Sequence, residues 1–343
     1  MTIRKLYIIG NGFDIQHGLK SRFRDFKEYL DTKAGNLAEK LEEYFEGDAL
    51  WSDFEETLAY LDTEQIIEEC MDYLQSYNVE AWSDAYHHEY QYEVQQRIAL
   101  ITSTLTHQFT TWVLQLSLPN NANENMVSVD KDATFINFNY TDTLERLYKV
   151  PPGQILYIHN KAVDINSTLI LGHSRNPKNT KTLEELYNDE DTDVRVAEGN
   201  RILDDYFVKT YKSTESIIKE CNDFFNKLKE VEIIYVYGHS LSIVDRPYFE
   251  EIIKRIAKEK TLWKVSYKDK KDLIDFQEFF QGLGINSELV IFDRIYNFDK
   301  KQLKLLKFCS LSQLQVLMCL CDILNIPVKL GSSSLLVKFP NWF

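Results

Sequence analysis

Short segments carry the residue types that could do chemistry. Gly10-Asn11-Gly12 forms a Gly-x-Gly turn, with Phe13, Asp14 and His17 directly after it. Asn139 and Asp142 stand in Asn-Phe-Asn-Tyr-Thr-Asp, His159 in Tyr-Ile-His-Asn, and Gly238, His239 and Ser240 in Gly-His-Ser-Leu-Ser, with Asp245 just beyond. A Gly turn between a strand and a helix offers backbone N–H groups and a helix dipole, the elements of a pyrophosphate cradle. An Asn, an Asp and a His converging beside such a cradle would make a site. Other chemistries fit less well. Ile15 stands where the dinucleotide fingerprint has its third Gly, and no Lys-Ser/Thr pair follows as in a Walker loop. Ser242 replaces the last Gly of a hydrolase elbow around Ser240. His87 and His88 are adjacent and cannot face one ligand from a helix. His159, His173 and His239 could meet, yet no HExxH-type motif accompanies them, so no metal is expected.

Each residue type also has a purely structural use. The Gly turn serves equally without a ligand, and Asp142 as an N-cap. Asn139 can satisfy loop backbone, and His159 can be a neutral imidazole bonded to a carbonyl.

The elements that must position these residues follow from hydrophobic spacing. Residues 5–9 form an apolar run that stops at Gly10, as a buried parallel strand does. Similar runs are Ala133–Asn137, Ile155–His159, Leu169–Leu171, Glu232–Tyr237, Trp263–Tyr267 and Leu289–Phe292. Helical patterns at Asp142–Tyr148, Asp245–Lys258 and Lys270–Phe280 separate most of them, which predicts an α/β fold with a mostly parallel sheet. If the strands are parallel, their polar ends converge on one rim with the Gly turn. From Ser21 to Leu118 the period is helical and the character acidic. Leu30, Ala34, Leu37 and Leu41 share one face, as do Tyr90, Val94, Ile98, Ile101 and Leu105. The predicted organisation is a core of 1–20 and 131–300, an acidic helical insertion at 21–130, a second helical insertion at 176–228, and an extension at 301–343. That extension carries an amphipathic helix, Leu311–Leu324, and a strand at Leu335–Phe339. The amphipathic, aromatic-bearing insertion helices cannot all cover one sheet, which predicts a homo-oligomer.

Composition narrows the partners. The chain of 343 residues is 44% hydrophobic and 27% charged, as in ordinary globular proteins, and 13% aromatic, with formal net charge −14. That acidity opposes duplex nucleic acid as a partner, because phosphate contacts need a basic face. The five cysteines are odd in number and show no CxxC spacing, which predicts reduced thiols. An N-terminus that enters a strand at once predicts no signal peptide, and no run approaches a membrane span. A cytoplasmic location is expected.

The segments Leu6–Leu19, Asn137–Glu145, Tyr157–Asn160, Leu171–His173 and Gly238–Ser242 resemble, in that order, the AbiH abortive-infection family. More distantly, the series is similar to sirtuin-like, NAD-cleaving defence enzymes. The resemblance implies a Rossmann-like, sirtuin-like core and a nucleotide ligand, with NAD as substrate or ligand. It implies that Gly10 and Gly12 form the phosphate loop, with Asn11, Phe13, Asp14 and His17 around it. Asn139 and Asp142 would be the nicotinamide-ribose pair and His159 the catalytic histidine. Gly238 and Ser240 would form the adenosine-side loop, with His239 and Asp245 beside it. The resemblance implies a phage-defence effector that would hydrolyse NAD under restraint, released by a phage-derived or protein trigger. Two other classes stay open. One is a nucleotide sensor without NADase activity; the other is an RNA- or DNA-directed toxin, disfavoured by the acidity and the missing carboxylate–metal cluster.

Overall fold

The computed structural model describes residues 3–298 apart from 46, 48, 78–83, 188 and 190, and the backbone alone of 84–86, 329–331 and 334–336. Strands β1 (Lys5–Ile9), β2 (Thr134–Asn137), β3 (Ile155–Tyr157), β4 (Ile233–Tyr237), β5 (Leu262–Ser266) and β6 (Val290–Asp293) form one six-stranded sheet. Every pairing in it is parallel and the order is β3-β2-β1-β4-β5-β6. The order reverses between β1 and β4, the position where Rossmann-like sheets open a crevice.

Alternation along the strands explains why they are nearly all apolar. Leu6 and Ile8 of β1, with Ile234 and Val236 of β4, enter a core under Phe249, Ile252, Phe276 and Phe280. Tyr7 and Ile9, with Tyr235 and Tyr237, enter the opposite core under Phe13, Leu144 and Tyr148. Both faces are covered, so both sets of side chains must be apolar. Tyr7 stacks between Phe135 and Tyr235, its register partners, with ring centroids 5.1 and 4.5 Å away.

The expected strand at Leu169–Leu171 does not form. Leu169 packs instead into the core of the helical segments, and the stretch is tied to the sheet side by Ile170 N–H donating to the His159 carbonyl at 3.0 Å. The face predicted across Leu30, Ala34, Leu37 and Leu41 belongs to two helices, Phe23–Lys33 and Gly35–Tyr44, because Ala34 leaves helical dihedrals at the junction. Leu30, Leu37 and Leu41 are buried all the same, as are Tyr90, Val94, Ile98, Ile101 and Leu105. The latter set follows the helix Asp84–Ala99 through a π-helical turn, Leu100–Thr104, into Leu105–Gln115.

The helical segments build a core of their own. Leu203 and Tyr206, on the helix Val194–Lys209, join Phe26, Leu41, Phe54, Val94 and Phe109 in one cluster. A Cβ on Gly199 would lie 2.5 Å from the Tyr90 ring, so Gly there lets Val194–Lys209 approach Asp84–Ala99 closely. The Tyr206 hydroxyl donates to the Leu58 carbonyl at 2.8 Å, tying the two segments together. Among the described residues, no helix is long and apolar enough to cross a membrane. The predicted helix Leu311–Leu324 lies outside the described residues. Of the predicted strand Leu335–Phe339, the described part belongs to Ser334–Leu336, which pairs antiparallel with Lys329–Gly331.

Candidate functional site

The ends of four strands are stitched together by hydrogen bonds, two of them between main chains. Gly10 N–H donates to the Tyr237 carbonyl at 3.0 Å and Gly12 N–H to the Gly238 carbonyl at 2.7 Å. Asn139 Nδ2 donates to the Gly10 carbonyl at 3.1 Å, and Gly238 N–H to the Ser266 hydroxyl at 2.9 Å. The loops after β1 and β4 therefore touch main chain to main chain. A Cβ on Gly10 would sit 2.5 Å from the His239 Cα, one on Gly12 2.8 Å from the Gly238 Cα, and one on Gly238 2.1 Å from the Phe13 nitrogen. Gly238 also has φ +64, where glycine alone is at ease.

Behind these loops lies a buried charge cluster. Lys212 Nζ is 3.1 Å from Asp245 Oδ1 and 3.2 Å from Glu55 Oε2, and its side chain has no solvent exposure. Two imidazoles flank the same carboxylate: His159 Nε2 lies 3.6 Å from Asp245 Oδ1, and His239 Nε2 3.6 Å from Oδ2. Leu241 N–H donates to His239 Nδ1, which places the proton of the neutral ring on Nε2, toward Asp245. The Nε2 of His159 is buried without a partner. Burial first, with the Lys212 cation, pushes the His159 pKa well below 6.5 against the upward pull of Asp245 and a smaller one from the Phe138 backbone. Burial likewise lowers His239 to about 4. Burial raises the Asp245 pKa, but Lys212, His159 and His239 outweigh it and hold the carboxyl below its ordinary value. For Lys212, burial is outweighed by Asp245 and Glu55, and the ammonium is kept. Among the described residues no group of three His, Cys, Asp or Glu side chains is placed to hold a metal.

A cleft of about 1080 Å³ opens onto these groups. Of the residues predicted from sequence, Gly10, Asn11, Gly12, Asp14, Asn139, His159, Gly238, His239, Ser240 and Asp245 line it. Phe13, His17 and Asp142 do not. Phe13 is a core side chain with no exposure. His17 is fully buried between the Phe13 carbonyl and the Tyr148 hydroxyl, each 2.7 Å from a ring nitrogen, which fixes the turn after the helix Asn11–Gln16. Asp142 stands at the N-terminus of Thr143–Tyr148 without capping it and faces solvent, 3.6 Å from Arg146. Asn11 lines the cleft but exchanges both its amide groups with Ser21.

Residues 6–267 match the family model described as bacteriophage abortive infection AbiH. The chain belongs to the AbiH family. Membership sets its role in abortive infection by bacteriophage, and the matched residues include every cleft residue predicted from sequence. No curated protein and no solved structure matches the chain.

In this AbiH-family chain, sequence reasoning missed Glu55 and Lys212. Both come from the helical segments, and Glu55 lines the cleft. Neither carries a local signal, since a Lys among charged helices reads as solvated surface.

Asp14 gives the site a measurable signature. It is 1% exposed, accepts from the Thr141 hydroxyl, and has its other oxygen unpartnered. Burial raises its pKa from 3.8 to about 6, against the lowering effect of Thr141, Thr143 and Asn139. The folded state thus holds a proton that the unfolded state has released between about pH 4 and 6, so this group's effect on stability turns unfavourable as pH rises through that window. The full cost at neutral pH is about 3 kcal/mol. Asp14→Asn should therefore be more stable than wild type at pH 7.5 and no more stable at pH 4, by urea unfolding. Identical pH dependence in the two proteins would show that Asp14 titrates as an ordinary carboxyl.

Proposed function

We propose that this AbiH-family protein is a defence effector whose cleft binds a nucleotide, NAD foremost, and hydrolyses its nicotinamide–ribose bond. The observation that carries this reading is the buried, unpartnered His159 Nε2 in the wall of a cleft at the β1/β4 switch point. Nucleotides bind at such switch points in open parallel sheets. The volume lies at the upper end of small-molecule sites, enough for a dinucleotide. Cations able to meet a phosphate are present: Arg24, Lys271 and Arg294 line the cleft and form no ion pair among the described residues, beside the carboxylates Asp53, Asp272 and Asp275. The likeness of the motif series to sirtuin-like enzymes supports NAD in particular.

The arrangement supports hydrolysis by an activated water. A water bonded to both His159 Nε2 and Asp245 Oδ1 would attack C1′ of the ribose. Its oxygen bonds to C1′, the C1′–N bond breaks with its electron pair leaving on nicotinamide, and the water's proton passes to Nε2. Asp245 orients the water, and its charge opposes the positive charge developing on the ring. Asn139, whose Nδ2 is committed to Gly10, keeps Oδ1 to accept from a ribose hydroxyl.

Purified protein incubated separately with NAD, ATP and RNA should release nicotinamide and ADP-ribose from NAD and leave RNA intact, read by chromatography. Tight NAD binding without turnover would make the cleft a sensor, and RNA cleavage would overturn the reading.

A further inference from the structure

We propose that Lys212 is a positioning residue for His159: its ammonium takes the Asp245 oxygen that the imidazole faces, and so leaves the imidazole free to accept a proton. The inference rests on the reading of the cleft as an active site, and it adds a route by which the helical segments control that site.

The argument begins with what a buried carboxylate requires. Asp245 is 7% exposed, and an ion so placed must be compensated by a cation or a proton. The groups facing it come from separate elements: Lys212 after the helix Val194–Lys209, Glu55 from the first helical segment, His159 after β3, and His239 after β4. Tyr140 and Tyr248 close the space around the His159 ring, with centroids 6.3 and 5.7 Å away. Of these groups only Lys212, at 3.1 Å, reaches the carboxylate within hydrogen-bonding distance. Without the ammonium, the nearest groups able to supply the charge are the two imidazoles, each 3.6 Å from a carboxylate oxygen. His239 Nδ1 already accepts from Leu241 N–H, which leaves His159, facing the oxygen that Lys212 held, to do so as an imidazolium. An imidazolium has no lone pair and cannot take a proton from water.

Lys212 is held in place by backbone. Its N–H donates to the His173 carbonyl at 2.8 Å, and His173 N–H donates to the Thr210 carbonyl at 3.0 Å. A Cβ on Gly172 would lie 2.0 Å from the Thr210 carbonyl oxygen, so this contact is as close as main chain permits. Thr210 caps the helix Val194–Lys209, which lies against Asp84–Ala99. A movement of that helix pair carries Lys212 with it. Withdrawing the ammonium would shift His159 protonation to higher pH and so widen the range in which the imidazole has no lone pair to offer water.

The test is a titration of ¹³C-labelled histidine by NMR on the unliganded full chain, with His159→Gln identifying the His159 signal. In wild type both rings should stay neutral until well below pH 6.5, and titration of His159 at or above 6.5 would overturn the proposal. The double variant Glu55→Gln/Lys212→Met removes one charge of each sign, which keeps the net charge of the buried cluster. In it His159 should titrate about 1–3 pH units higher than in wild type; an unmoved signal overturns the proposal. Lys212→Arg keeps the cation and should titrate as wild type, and a raised His159 there is equally fatal, which preserves the test should the double variant not fold. No nucleotide enters the experiment. A shifted imidazole in a protein that never cleaves NAD sinks the NAD reading alone, and an unmoved one in a protein that does cleave it sinks the role of Lys212 alone.

Discussion

If the cleft cleaves NAD as proposed, replacing His159 with alanine should lower NAD loss by about 10²–10⁴-fold, the usual contribution of a general base. The cleaner replacement is His159→Gln, which fills most of the volume of a ring only 3% exposed and cannot take up the proton. Both variants should abolish host toxicity while keeping a cooperative unfolding transition. Because burial and Lys212 hold the imidazole neutral, the wild-type rate should not fall near the ordinary pKa of 6.5 on acidification, but only at lower pH. Asp245→Asn should cost a similar factor, and the double replacement scarcely more, since residues that act on one water fail together. Asn139→Ala is a poorer probe, for it also removes the bond from Nδ2 to the Gly10 carbonyl. Full toxicity in a folded His159→Gln protein would end the proposal that this histidine does chemistry.

The largest expected effect on stability lies at a residue with no side chain. Gly238→Ala puts a Cβ 2.1 Å from the Phe13 nitrogen and 2.4 Å from the Gly12 carbonyl carbon, in a backbone with φ +64. Left-handed dihedrals cost an alanine about 1–2 kcal/mol and overpacking about 1–3 kcal/mol more. The sum, about 2–5 kcal/mol, is a large part of the ~5–15 kcal/mol that holds a typical domain together. Gly153→Ala, where no atom lies within 4 Å of the added Cβ, is the matched control and should be near neutral. Urea unfolding without ligand decides the matter, and equal midpoints for the two variants would mean that the loops after β1 and β4 do not pack. The result also bears on how the Gly turn is probed. Gly12→Ala meets the Gly238 backbone at 2.8 Å, so any loss of ligand stabilisation in that variant is mixed with damage to the fold.

The sheet was legible because strand ends announce themselves. Apolar runs that stop at Gly10, Asn137, His159 and Gly238 are buried runs reaching a polar rim, and each placed its residues at or beside the cleft. Leu169–Leu171 reads the same in sequence, but Leu169 is apolar for the sake of the helical core, a partner that no local pattern reveals. The Gly turns were legible as close approaches, though the chain they approach is the protein's own. His17 and Asp142 share motifs with cleft residues, yet one is spent on Tyr148 and the other faces solvent. Glu55 and Lys212 could not be found in sequence. They are 157 positions apart, and only the packing of two distant helical segments makes them neighbours.

That separation has a consequence for a chain emerging from a ribosome. After 200 residues the chain has delivered Glu55, Asn139 and His159, but not Lys212, His239 or Asp245. The strand that completes the switch point, β4, begins at Ile233. Asp245, the carboxylate that both imidazoles face, follows twelve residues later, since 245 − 233 = 12. Contacts of such long range close late in folding, because the loop entropy must be overcome before they form. A nascent chain therefore holds the pieces of the site without the site, and the cluster can assemble only once nearly three-quarters of the polypeptide has been made (245 of 343 residues).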